Sequence, residues 1–217
     1  MLTKTLKLLA IGLLSGLSAA GCLQKDVAQT WYLETDGQVH WVLQEIDVRS
    51  DSQAALDRQR EEDDYIAAVK TQNHETARGF RELGLTDIRT RLLRSSAPFV
   101  VITDAKAGRL DALGRRLLDG LRLEGTSVLE RHGEGWHWVM TVRDPHASTT
   151  PSPSDELIAL MNGTDRLRVV LATGRFDDAS GFDLSSDQRV ATLGDLEKQT
   201  SNGQRDGSTV VLRLRWR

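Results

Sequence analysis

A single cysteine, Cys22, and four prolines are all that a chain of 217 residues contains of either type. One thiol cannot close a disulfide within the chain or build a cysteine-based zinc site, so stability must come from packing. Aromatic residues are sparse at 5%, although five of them are tryptophan. No apolar run after residue 22 approaches the ~20 residues that a membrane-crossing helix needs. Positive charge is not in excess either: 28 basic residues stand against 31 acidic ones, a formal net charge of −3. That balance argues against wholesale nucleic-acid binding. A Gly-x-Ser-x-Gly nucleophile elbow, a phosphate-cradling glycine loop and a dinucleotide fingerprint are also missing. No cofactor is expected.

What the chain does have begins at its first residues. Lys4 and Lys7 precede an apolar stretch from Leu8 to Leu17, and Ser18-Ala19-Ala20-Gly21 places small residues directly before Cys22. A charged start, a short apolar run and small residues at a cut mark a removable signal. The arrangement resembles the lipobox of bacterial lipoproteins. The resemblance implies a signal peptide over residues 1–21, cleavage after Gly21 and acylation of Cys22. Two or more acyl chains hold a protein stably at a bilayer. Leu23 rather than Asp follows the cysteine, which in a Gram-negative cell implies sorting to the outer membrane, with the periplasmic face favoured. Losing Lys4 and Lys7 leaves 26 basic against 31 acidic residues in the mature chain, a net charge of −5.

Residues 22–29 read as the acylated cysteine and a tether, and residues 30–217 as one ectodomain, with a possible subdivision at the Ser/Thr/Pro-rich segment 145–154. Thr30 to Thr35 and Gln38 to Val48 are strand-like and joined by Asp36-Gly37, a strong hairpin signal. Ser50-Asp51 can cap a charged helix running from Gln53 to about Lys70, with Arg58–Glu62 and Arg60–Asp64 at pair spacing. A second helix carries Ala77, Phe80 and Leu83 and stops at Gly84. Thr86 to Leu93 and Phe99 to Thr103 follow as strands. Leu110, Leu113, Leu117 and Leu121 then form an amphipathic stripe. A third hairpin joins Thr126–Arg131 to Trp136–Val142 across His132-Gly133-Glu134-Gly135. A short helix is read over residues 155–161, and strands over 166–173, 189–193 and 209–216. In the last, Val210, Leu212, Leu214 and Trp216 alternate with Thr209, Val211, Arg213 and Arg215, the period of a half-buried strand. Strand, strand, helix recurs three times. The fold class is therefore α+β, mainly antiparallel sheet with helices packed on one face.

The lipobox cysteine, the strand–Asp-Gly–strand unit from Trp31 to Val48, the long polar helix and the segment Thr173-Gly174-Arg175-Phe176-Asp177-Asp178-Ala179-Ser180-Gly181 before a final strand ending in Trp216 together look like LppM-type bacterial lipoproteins. That resemblance implies an envelope protein with an α/β ectodomain and a lipid or glycolipid binding role. Residue by residue, it transfers only the acylated Cys22.

Candidate sites are few. His132 and His137 flank a hairpin turn, and His40, His74 and His146 are scattered, so no metal site is expected. Glu61-Glu62 and Asp63-Asp64 share a helix with arginines and read as a solvated face. Arg166 and Arg168 alternate with Leu167 and Val169, as Arg213 and Arg215 do with Leu212 and Leu214. If those strands were neighbours, one sheet face would carry guanidiniums able to grip phosphate or carboxylate; the competing reading is a solvated face with cross-strand acids. Trp136, Trp138 and Met140 share one strand face, either an apolar groove for acyl chains or sugars or the core. The expected function is a membrane-anchored, non-enzymatic envelope lipoprotein that binds a lipid, a glycan or another protein. A hydrolase acting on peptidoglycan or lipid, and a structural scaffold or tether, are the alternatives.

Overall fold

The computed structural model describes residues 23–143, 166–194 and 209–217. The expected signal peptide, Cys22, the linker expected over 145–154 and the helix expected over 155–161 lie outside the described residues. Eleven strands and three helices follow one another as β1 (Leu23–Leu33), β2 (Gln38–Ser50), α1 (Ala55–Lys70), α2 (Glu75–Glu82), β3 (Thr86–Arg94), β4 (Phe99–Arg109), α3 (Leu110–Gly120), β5 (Glu124–His132), β6 (Gly135–Arg143), β7 (Arg168–Leu171), β8 (Phe176–Ser180), β9 (Phe182–Leu184), β10 (Val190–Leu193) and β11 (Thr209–Trp216) among the described residues. The fold is mixed α+β and mostly antiparallel sheet, with the strand–strand–helix order visible through α3.

Two sheets form rather than one. The first has seven strands in the order β3-β4-β2-β1-β7-β10-β9, and the second has four in the order β5-β6-β11-β8. All pairings are antiparallel except β1 with β7. The division arises because the C-terminal strands are shared out. β7 inserts beside β1, whereas β11 pairs β6 on one side and β8 on the other.

Period-two patterning fills the space between the sheets. Trp31 and Leu33 of β1, Val39, Trp41 and Leu43 of β2, and Val169 and Leu171 of β7 are buried in one cluster with Trp138, Met140, Leu212, Leu214 and Trp216 of the second sheet. Trp31 and Trp41 meet edge to face with ring centres 5.6 Å apart, and Phe80 of α2 lies 5.0 Å from Trp41. The α3 stripe buries Leu110, Leu113, Leu117 and Leu118 in the same cluster, a contribution of roughly 6–12 kcal/mol at ordinary transfer values. A smaller cluster joins Tyr65 and Val69 of α1 to Val48, Phe99 and Val101.

Local details depart from the reading of the sequence in three places. First, β1 begins at Leu23, so residues 23–29 are not a free tether but the first half of a strand paired to β2 as far as Ser50. Lys25 and Asp26 disguise it, because a bulge between Gln24 and Asp26 breaks the alternation there. Second, the β1–β2 connection is a longer turn in which Gly37 alone adopts positive φ, +83°, and donates to the Glu34 carbonyl at 3.0 Å. Third, α1 starts at Ala55 with Ala54 at its cap and no side-chain cap bond. Ser50 instead donates from its hydroxyl to Glu61 and ties β2 to α1. The expected helix pairs are replaced by Arg60–Asp57 and Gln59–Asp63.

Candidate functional site

The outer face of the second sheet gathers charge. Along β11, Leu212, Leu214 and Trp216 point into the core, which forces Arg213 and Arg215 outward. Arg215 lies opposite His137 on β6 and Asp178 on β8, and Arg213 lies opposite Val139 and Ser180. The β5–β6 hairpin closes with His132 opposite Gly135, bringing the His132 and His137 rings to 6.4 Å, nearly edge to face. His132, His137, Asp178, Arg213 and Arg215 line one concavity of about 320 Å³. Among the described residues, neither guanidinium closes an ion pair within 4 Å, although Arg217 and Arg175 nearby share Asp177. Val128 of β5, 42% exposed, faces Val139 across the ladder beside Arg213. The face therefore sets two free guanidiniums next to a small apolar strip.

The four arginines singled out from alternation do not form one cluster. Arg168 lies on β7 in the first sheet, opposite Thr30 and Thr192, and Arg166 approaches Asp183 at 3.8 Å. Only Arg213 and Arg215 come together, joined by two histidines that had read as turn decoration. The tryptophan face is not an open groove. Trp138 and Met140 are fully buried, because α3 packs on them through Gly114, whose missing side chain leaves room for Ser127 and Met140. Trp138 donates its indole N–H to the Ser127 hydroxyl at 3.0 Å. Trp136 is half-buried, with the Arg109 guanidinium 5.5 Å over its ring.

A second polar cluster is buried where α1 and α2 cover the first sheet. Glu45 follows Val39, Trp41 and Leu43 on the inward face of β2 and is 1% exposed. Lys25 of β1 holds one carboxylate oxygen at 2.5 Å, and His74, at the N-cap position of α2, approaches the other at 3.4 Å. The His74 ring also meets the Thr103 hydroxyl at 3.2 Å, and Lys25 reaches Glu75 at 3.2 Å. Burial alone would raise the Glu45 carboxyl, but the His74 contact and the Lys25 charge outweigh it and bring it down to about 2. For Lys25 the opposing burial is overcome by Glu45 and Glu75, so its ammonium is held above the ordinary lysine value. Tyr65, buried beside them without a hydrogen bond of its own, is pushed upward by burial and by the Glu45 charge. The arrangement strings β1, β2, β4 and α2 onto one carboxylate. Its chemistry is that of a lock: a buried carboxylate held by the partly buried Lys25 and by His74, each needing the others.

Among the described residues, no three His, Cys, Asp or Glu side chains converge to hold a metal ion. None of the described helices is long and apolar enough to cross a membrane.

A solved structure is similar to the chain. It is the NMR structure of the folded domain of LppM from Mycobacterium tuberculosis, matched over 94% of this chain and 95% of that one at 10% identity and a TM-score of 0.37. No functional residue is carried over from it. Comparison with protein-family models finds no match, and neither does comparison with curated proteins.

The sequence left the buried cluster unread, yet one signal pointed to it. Strict alternation along Val39, Trp41, Leu43 and Glu45 assigns Glu45 to the apolar face, and a carboxylate there demands cationic partners. Which partners answer could not be read, since Lys25 and His74 lie 20 residues before it and 29 after it along the chain.

Proposed function

We propose that the chain is a lipid-anchored, non-enzymatic envelope lipoprotein whose folded body binds an anionic envelope ligand on the outer face of the second sheet. The observation that carries this reading is the pair Arg213 and Arg215, exposed, without an ion pair among the described residues and set around one concavity with His132 and His137. A guanidinium already held by a neighbouring acid is neutralised in place; a free one offers a planar fork that matches phosphate or carboxylate oxygens two at a time. The Val128–Val139 strip beside Arg213 adds apolar contact area of the kind an amphipathic ligand uses. Anchoring rests on the lipobox layout ending at Cys22.

The test is titration of the full chain, purified in nonionic detergent, with mixed micelles that do or do not contain an anionic lipid. Binding is expected only to the anionic micelles, and the Arg213→Gln/Arg215→Gln double variant is expected to lose it while keeping its melting temperature. Equal behaviour of variant and parent would discard the site.

A further inference from the structure

We infer that the ligand of this face is a phosphomonoester, a terminal phosphate group rather than a phosphodiester. The inference rests on the anion-binding reading above and specifies its ligand. Among the described residues, Arg213, Arg215, His132 and His137 line the concavity together with one acid, Asp178. Each guanidinium offers a planar fork of N–H donors, and His132 and His137 each add a ring N–H beside them.

A phosphodiester presents one negative charge and two free oxygens and leaves part of that donor set without acceptors. A terminal phosphate presents three acceptor oxygens and a charge approaching −2, with its second ionisation near pH 6. Donor number and charge thus match the monoester. Of the other charged groups facing the imidazoles, Glu130 lies opposite His137 on β5 and Glu134 lies in the hairpin turn.

The experiment follows the imidazole NMR signals of His132 and His137 in the full chain, in nonionic detergent, on titration with methyl phosphate, dimethyl phosphate and a short-chain phosphatidic acid. Methyl phosphate is expected to shift both ring signals to saturation with an affinity about tenfold above that of dimethyl phosphate, through its extra charge-assisted bonds. The His132→Gln/His137→Gln variant is expected to narrow that preference while retaining weak binding through the arginines. Phosphatidic acid binding above methyl phosphate supports the inference with a lipid headgroup as the source, and equal binding supports it with a soluble phosphomonoester. If methyl and dimethyl phosphate bind alike, the monoester inference is overturned while anion binding stands. Failure of every probe overturns both.

Discussion

Glu45 occupies a position where alternation calls for an apolar side chain, and its charge survives there because the Lys25 ammonium and the His74 ring converge on it. Removing that charge is the informative change. Glu45→Gln keeps the shape but strands Lys25 and His74 against a neutral amide, and breaking a buried pair in this way costs about 3–5 kcal/mol. Denaturant unfolding of the variant beside the parent measures it directly. The pH sign follows from the direction of the shift. The folded carboxyl sits at about 2 against a model value of 4.5, so its stabilising share is complete above 4.5 and is lost as pH falls toward 2. A displacement of that size corresponds to roughly 3 kcal/mol. Parent stability is therefore expected to decline across that acid window and the variant's to stay flatter. Lys25 runs the other way: its raised value means its share is present below the ordinary lysine value of 10.5 and fades as pH climbs past it. A parent with no acid-side loss would show that Glu45 is not held ionised by its neighbours.

Among the elements, α3 depends most on a single position. It approaches β5 so closely at Gly114 that an added Cβ would lie 2.6 Å from the Ser127 Cβ. Backbone conformation is not the reason for this glycine; space is. Gly114→Ala would push the helix off β5 and disturb the Ser127–Trp138 hydrogen bond, an overpacking cost of about 1–3 kcal/mol, where the same change in a free helix would stabilise it. Thermal melts with near-ultraviolet circular dichroism read both the loss and the disturbed indole. The leucine stripe of α3 and the alternation of β11 were legible because each is a local period, set by one element facing one core. The split into two sheets was not, because it depends on which strand accepts β7 and β11, and β7 is only a short run, Arg168–Leu171, with no local mark of a parallel partner. The exterior site divides along the same line. Outward arginines on β11 follow from period two, whereas the meeting of Arg215 with His137 and Asp178 follows from pairing between positions 78 and 37 apart in the chain, which no spacing rule encodes.

At the scale of the whole molecule, the start of β1 changes what an acyl anchor would mean. Pairing with β2 begins at Leu23 opposite Ser50, and Ser50 is bonded in turn to α1. A lipid on Cys22 would then attach directly to the sheet, with no slack chain between bilayer and folded body, and the Lys25–Glu45 lock would brace the first turn of that attachment. Two measurements probe this. Cys22→Ser is expected to move the protein from the detergent to the aqueous phase on partitioning, since an acylated chain owes its membrane affinity to the buried methylenes; a variant that stays in the detergent phase refutes acylation at that residue. Hydrogen exchange on the anchored protein should find the amides of residues 25–29 that pair with β2 protected to a degree comparable with the centre of β2, because exchange there requires opening the sheet rather than fraying a linker. Rapid exchange across that stretch would restore a flexible tether and detach the orientation of the body from the position of its anchor.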